Sequence, residues 1–553
     1  MRLFTLSLSK GLAATLVALA APTFVAPVLV APVRAQPAVP VAAVPVAPVR
    51  YDTGLLAPSF HAGRRALVRE ALPAGGVAVF FSAPERQRLN DTDFEYRQDA
   101  NLYYLTGTHE PESVLIVSRD GFALDGQSVH EVLLVPPRDA FSEVWIGRRF
   151  GPERAEAQLG VERAVPNTRF GAVLRAALGT RGRVFLAGLP EAPTKGLAAQ
   201  IDTLRAHAPT LTIDGNAYVR NAARGMLSVG SSEAFGTLRQ AVATRLRAED
   251  FADTTLQAAV RAFQSAPDYA TWDAWRTART GRIADAALLP GVLGQARMVK
   301  TEDEMRLLRR AIDASAEGHN EAMRIAAPGL SEYHLEAAAE YVFFRSGAEA
   351  VGYPSIVGAG ENSTVLHYNT NRRPLRDGDI VVMDMGAEVH GYTADVTRTI
   401  PVNGRFSAEQ KAIYDLVLAA QDAGIAASVA GAPFSAPGAA ATRVIAQGLR
   451  TLGLIRTEAD VRRFFMHGTS HYIGLFVHDV GQGPLVPGAV ITVEPGIYIS
   501  PSAEVDPKWW NIGVRIEDDI LITTGAPVNL SAATPRTTAA IEAMMRETPK
   551  YTR

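Results

Sequence analysis

The sequence predicts two unlike folded parts, an α/β domain over residues 53–222 and an α+β domain over 296–553. In the first, apolar strand-like runs (VAVFFS, SVLIVS, EVLLVP, RVFLAG) alternate with helical ones (HAGRRALVREAL, FGAVLRAAL), as in a sheet covered by helices. In the second, apolar runs pair around short turns after two long helical patterns, as in hairpins flanked by helices. Between them lies a helical insert, 223–295. Its stretch 233–287 is rich in Ala, Arg and Glu, with helical spacing in TLRQAVATRLRAEDF and TLQAAVRAFQ.

The N-terminus comes first in the chain and has its own logic. Residues 1–35 carry basic residues, an apolar core and a Val33-Arg34-Ala35 end, the pattern of a secretory signal peptide. An uncleaved membrane anchor is the alternative, because the apolar stretch is long. Pro22, Pro27 and Pro32 work against a stable spanning helix. A Pro/Ala/Val linker, extended and semi-rigid, follows over 36–52. The expectation is an exported protein, periplasmic or extracellular, with no stable membrane span. At 553 residues there is room for two or three domains, and 47% hydrophobic residues suit ordinary cores. A net charge of −2 makes no case for nucleic acid. With no cysteine, disulfides, thiolate-bound zinc and a cysteine-linked lipid anchor are all excluded.

Thr301 and Glu304 form a capping box that opens a helix. Met305, Leu308, Ile312, His319 and Met323 then recur at helical spacing until Pro328-Gly329. A second helix is expected between Ser331 and Gly347.

Chemistry begins in DIVVMDMGAEVHGYTADVTRTI, residues 379–400, which reads as two strands around a turn at 388–391. A turn centred between Val389 and His390 would set Asp384 opposite Asp395, with Cβ atoms about 5 Å apart. Opposed like charges are destabilising in a ladder unless a cation neutralises them. A one-residue slip would instead put them on opposite, solvated faces.

Glu494, in AVITVEPGIYI, and Glu517, in IGVRIEDDILIT, fall in apolar strand patterns, where a carboxylate is costly unless paired or bound to metal. Glu517 alone could answer Arg515, two residues away on the same strand face. Four such carboxylates beside a histidine-rich segment are harder to explain by ion pairs. Oxygen ligands with one imidazole suit Mn²⁺, Co²⁺, Zn²⁺ or Fe²⁺. Seven of the eleven histidines lie from His319 to His478. His319, His334 and His390 read as packed or surface residues. His467, His471 and His478, in MHGTSHYIGLFVHDVG, suit a turn running into a strand, and His367 belongs near the chemistry.

These motifs resemble the pita-bread metallopeptidases, specifically the Xaa-Pro aminopeptidase (aminopeptidase P) and prolidase branch. The resemblance rests on SIVGAGENSTVLHYNTN, the 379–400 segment, FFMHGTSHYIGLFVHDVG, TVEPGIYI and IGVRIEDDILIT, and upstream on RLNDTDFEYRQDANLYYLTGTHEPESVLIV and PRDAFSEVWIGRRFG. It implies a pita-bread catalytic domain holding two divalent metals, Mn²⁺ with Co²⁺ or Zn²⁺ as alternatives. The implied ligands are Asp384, Asp395, His471, Glu494 and Glu517. His367, His467 and His478 would handle substrate and protons; Asp91, Tyr498 and Arg515 would support them. The resemblance further implies a homo-oligomer, dimer or tetramer, in which Trp145, on a strand-like run, reaches a neighbouring active site. Three departures stand out. The stretch between His478 and Glu494 is shorter and lacks an arginine, the insert is extra, and Met385 replaces a small residue.

The expected function is removal of an N-terminal residue that precedes proline. The metals would share a bridging water and lower its pKa. Glu494 would carry its proton to the leaving nitrogen, and His478 would donate to the oxyanion. A prolidase restricted to dipeptides is the near rival, and a non-catalytic binding protein on the same fold the distant one.

Overall fold

The computed structural model describes residues 54–551 except 181, 189, 191–196, 208–216, 230–231, 252–253 and 279–287. The segments read as a signal peptide (1–35) and a linker (36–52) therefore lie outside the described residues. Helix Pro58–Ala71 precedes a five-stranded sheet ordered Ala164–Pro166, Gln127–Val135, Val114–Leu124, Gly76–Phe81, Arg183–Leu186. The sheet is mixed: Gly76–Phe81 runs antiparallel to Val114–Leu124 and parallel to Arg183–Leu186. Its GVAVFF run is apolar throughout because both faces are covered. Val77, Val79 and Phe81 pack with Phe170 and Val173, whereas Ala78 and Phe80 join the main core that continues into the C-terminal part.

Helices Ala217–Ser228, Ser232–Arg245, Thr254–Ser265 and Tyr269–Thr277 gather a core of their own around Phe263 and Trp272. Helix Leu288–Met298 then leads to helix Glu302–Ile325. The latter opens on the expected capping box: Thr301 Oγ1 accepts from the Glu304 N–H, and the Glu304 carboxylate accepts from the Thr301 N–H. Leu308, Ile312, His319 and Met323 form its buried stripe. Helix Glu332–Arg345 follows.

The strands of the C-terminal part are short, antiparallel and interrupted. Ile380–Asp384 lies between Thr397–Pro401 and Ile356–Ala359. Ala387–Val389 lies between Tyr392–Thr393 and Ala350–Val351. A second hairpin system pairs Val490–Val493 with Asp518–Leu521 and Gly496–Ile499 with Ile512–Arg515. A single bridge, Thr397 to Glu517, joins the two systems. Helices Ala408–Ala427 and Ala436–Thr451 pack together beside them. Among the described residues no helix is long and apolar enough to cross a membrane.

Candidate active site

The first hairpin forms two positions out of the expected register. Val389 pairs with Tyr392, so the turn is His390-Gly391, and Asp384 faces Thr397 rather than Asp395. The cause is local: His390 and Gly391 both adopt positive φ, 48° and 79°, the requirement of a tight two-residue hairpin turn. Because the shift is even, both carboxylates keep the same face. They meet at Tyr353, whose hydroxyl lies 2.6 Å from Asp384 Oδ1 and 2.5 Å from Asp395 Oδ1.

The directly opposed pair belongs to the second hairpin. Val493 pairs with Asp518 and Gly496 with Arg515, which sets Glu494 opposite Glu517. Neither is within a strand, contrary to the sequence expectation. Pro495 has no N–H for the ladder, and both chains are irregular there, so the two glutamates occupy a break. Asp395 likewise sits in the gap between Tyr392–Thr393 and Thr397–Pro401.

The histidine segment also departs from expectation. Residues 466–482 form no strand, only isolated bridges from Tyr472 to Asp479 and Ile491. Hydrogen bonds to strand Val490–Val493 hold it in place: the Thr492 N–H donates to His471 O (2.9 Å), and the His471 N–H to Thr492 Oγ1 (3.1 Å).

His471 Nε2 lies 3.3 Å from Asp395 Oδ2, 3.6 Å from Glu494 Oε1 and 3.9 Å from Glu517 Oε1. Its Nδ1 lies 3.2 Å from the Tyr472 carbonyl, which fixes Nδ1 as the donor and leaves Nε2 for a metal. Candidate ligand atoms of Asp395, His471 and Glu517 all fall within 4.8 Å of one another. Glu517 is buried; its Oε2 accepts from Thr397 Oγ1 at 2.7 Å, yet its Oε1 has no hydrogen-bond partner.

By themselves these groups conflict. Burial, reinforced by Asp395 and Asp384, pushes Glu494 up to about 8 against the pull of His471 and Arg515. Burial with Asp395 and Glu494 raises Glu517 well above the carboxylate range, and burial with Asp384 raises Asp395. Burial works against charge on His471, yet Asp395 and Glu494 lift it to about 9. A divalent cation resolves the conflict, since it keeps carboxylates ionised and displaces the imidazole proton. The orphaned Glu517 oxygen and the oxygen-rich donor set fit such a cation.

Asp384 differs. Burial pushes it up, but Arg515 and the Tyr353 hydroxyl hold it below the usual range. Arg515 does not answer Glu517. Its NH2 donates to Asp384 Oδ2 at 2.5 Å and its NH1 to the Tyr498 hydroxyl at 2.9 Å. Tyr498 in turn meets His467 Nε2 at 2.8 Å, and His467 Nδ1 faces the Gly468 carbonyl at 2.6 Å. A carbonyl only accepts, so Nδ1 carries the proton and Nε2 receives the tyrosine hydrogen. Burial lowers His467 to about 4, which keeps that ring neutral.

His478 is exposed, its ring edge-on to His471 with centroids 4.3 Å apart. His367 is exposed in a loop pinned by Arg515 NH2 on the neighbouring Leu366 carbonyl (3.3 Å), and it perturbs both His467 and His478. His319 is buried, with Nε2 3.1 Å from Met385 O. The sequence carries no sign of the roles of Tyr353 and Thr397, because both act across long separations, Tyr353 on Asp384 and Asp395 and Thr397 on Glu517.

Two expected residues stand apart. Asp91 is not brought to the ligands; it is exposed at the tip of the hairpin Gln87–Leu89/Thr92–Asp93, whose strand residues are all exposed. Trp145 lies on a helix, Ala140–Ile146, not on a strand-like run, and Trp145 and Ile146 are both exposed. Asp139 caps that helix by accepting from the Ser142 N–H, and Gly147, at φ 80°, ends it.

Fold and site together define a metal-dependent peptidase. Residues 306–524 match the model of metallopeptidase family M24, and residues 61–185 match that of the aminopeptidase P N-terminal domain. The chain is 35% identical over 499 residues to the Xaa-Pro aminopeptidase of Escherichia coli K12, covering 88% of this chain and 97% of that one. A solved aminopeptidase, PepP of Pseudomonas aeruginosa, superposes with TM-score 0.70 at 32% identity, covering 89% of this chain and 99% of its own. A zinc-substituted E. coli aminopeptidase P in complex with product does so with TM-score 0.68 at 32% identity, covering 89% and 98%. The chain belongs to metallopeptidase family M24, and its catalytic part has the pita-bread fold.

Proposed function

We propose that the chain is an exported Xaa-Pro aminopeptidase that releases the first residue of peptides with proline second. The observation carrying this is the opposed Glu494–Glu517 pair closed by Asp384, Asp395 and His471, in a chain spanning 97% of a curated Xaa-Pro aminopeptidase. These five residues would hold two divalent ions, with Mn²⁺ the preferred metal and Co²⁺ or Zn²⁺ alternatives for such a donor set. When bound, the ions supply Lewis acidity that makes water nucleophilic near neutral pH.

The remaining work falls to side chains. Glu494 takes the water proton and delivers it to the leaving proline nitrogen. His478 donates to the oxyanion that develops on the scissile carbonyl. Asp384 orients the free amino terminus, and His367 meets the proline-side carbonyl. Burial keeps His467 neutral, and Tyr498, held by Arg515, fixes its ring.

Three further features belong to this proposal. Export rests on the 1–35 segment, so the mature protein would start near Gln36 and be recovered outside the cytoplasm. Oligomerisation rests on helix Ala140–Ile146, where Phe141, Val144, Trp145 and Ile146 are all exposed; a patch of that kind marks an interface. Trp145 would then complete a neighbouring subunit's site.

The test is a peptide panel after reconstitution with Mn²⁺, Co²⁺ or Zn²⁺. Release of Xaa from Xaa-Pro-Yaa, with Xaa-Ala-Yaa intact, is the expected result. Cleavage of Xaa-Pro alone indicates a prolidase. Metal uptake without any cleavage leaves the binding-protein alternative.

A further inference from the structure

His478 rides on a stretch, 473–478, that has no helix or strand. What holds that stretch is the next side chain, Asp479, which is buried. Its Oδ2 accepts from the Leu475 N–H at 3.1 Å and its Oδ1 from the Val480 N–H at 2.8 Å, so one carboxylate closes the loop at both ends. Two buried cations grip the same carboxylate: Arg297 NH2 donates to Oδ1, and Lys300 Nζ lies 3.7 Å from Oδ2. Lys300 is itself fixed by donating to the Arg297 carbonyl at 2.7 Å, and Arg297 NH1 donates to Asn101 Oδ1 at 2.7 Å.

The backbone is shaped to this cluster. A Cβ at Gly474 would collide with Asp479 Oδ2 and stand 2.8 Å from Lys300 Nζ. On the other flank Arg97 donates to the Leu475 carbonyl at 2.8 Å and to both oxygens of buried Glu388 at 3.1 and 2.9 Å. A cavity of about 280 Å³, lined by Arg97, Phe476, His478 and Val480 among others, opens beside the loop. Asn101, Arg97, Arg297 and Lys300 all precede residue 306, where the match to the catalytic family begins.

We propose that Asp479, clamped by Arg297 and Lys300, is the positioning residue for His478, so that residues upstream of the catalytic segment set the aim of the oxyanion donor. This rests on the oxyanion role given to His478 above. A carboxylate between two buried cations has one stable place, and through the Leu475 and Val480 amides it gives the loop one shape. Misplacement of a catalytic group by about 1 Å costs on the order of 10²-fold in rate.

The test uses the metal-loaded full chain and five proteins: wild type, Asp479→Asn, Arg297→Lys, His478→Ala and the double variant Arg297→Lys/His478→Ala. Arg297→Lys keeps the buried charge but cannot span Asn101 and Asp479 together, so it decides the matter should Asp479→Asn fail to fold. Expected are a kcat on Xaa-Pro-Yaa lower by about 10²-fold with KM little changed, retained metal, and amide exchange at Leu475 and Val480 faster by roughly tenfold or more. Because Arg297 acts through His478, the double variant should be no slower than His478→Ala alone. Multiplying losses in the double variant, or wild-type exchange and turnover in Arg297→Lys, overturn the inference and leave the proposed function standing. A wild-type enzyme that cleaves no Xaa-Pro peptide overturns both.

Discussion

Glu517 and Asp518 are adjacent in the chain and both buried, yet their surroundings are opposite in kind. Asp518 Oδ1 accepts from Arg398 NH2 at 2.7 Å and Ser531 Oγ at 2.6 Å, and its Oδ2 from Gln421 Nε2 at 2.9 Å. Every oxygen has a donor, and Arg398 is fully buried against it. Glu517, just before strand Asp518–Leu521, faces Glu494, Asp395 and His471 and leaves Oε1 without a donor. A satisfied buried carboxylate is architecture. A buried carboxylate among like charges, with one oxygen free, is arranged for a cation.

The sharpest test of that difference is Glu494→Gln, opposite Glu517. It keeps volume but removes a ligand charge and the proton carrier, so activity should fall by about 10⁴-fold, the upper end for a general base, with an unchanged circular dichroism spectrum. Turnover within a few-fold of wild type would remove Glu494 from the mechanism. On the architectural side, Asp518→Ala leaves Arg398 buried and unpaired and should cost about 3–5 kcal/mol in urea unfolding. Glu517→Gln should leave the metal-free protein at least as stable as wild type, because it removes a carboxyl whose ionisation burial, Asp395 and Glu494 oppose. Equal destabilisation by the two substitutions would break the comparison.

His478→Ala should lower kcat by about 10²–10³-fold while elemental analysis still finds both metals. Loss of metal in this variant would make His478 a ligand instead.

Histidines repeat the contrast in smaller measure. His471, among carboxylates, is lifted to about 9, whereas burial lowers His61 to about 4. His61 is buried in the α/β part, with Nδ1 3.0 Å from Tyr104 O. Between pH 6.5 and 4 the unfolded chain binds a proton at this position and the folded protein does not. Stability is therefore full above the unfolded pKa and declines as pH falls toward 4, by at most about 3 kcal/mol. Urea unfolding at about pH 7 and about pH 4.5 should show a shallower decline in His61→Asn; an identical decline would exclude His61 as the source.

The smallest expected effect is Trp145→Ala, which should raise KM for tripeptides and longer substrates more than it lowers kcat. Light scattering that finds only a monomer would end the idea that Trp145 serves a neighbouring site.

Much of this was legible in the sequence because it is local. The Thr301–Glu304 box, the stripe through Leu308, Ile312 and Met323, and the apolar run at Gly76–Phe81 depend on residues within a turn or strand of one another. Glu494 and Glu517 were legible for a related reason: a carboxylate in an apolar run violates burial chemistry wherever the run is placed, whereas only the family resemblance set His471 apart as a ligand. The strand-like run at Trp145 does not reveal its helix, because the Asp139 cap is a side-chain hydrogen bond that competes with extended structure.

By itself, the sequence determined which residue types could bind a divalent metal and that Glu494 and Glu517 lie in apolar segments, since burial cost depends on composition. Only the tertiary structure decided how they meet. The left-handed pair His390-Gly391 set the first register, and the break at Pro495 put Glu494 opposite Glu517. Tyr353 bridges carboxylates 31 and 42 residues away, and Arg297 reaches Asp479 across 182 residues. Contacts of that span are selected by the packing of the whole chain, because no local periodicity records them.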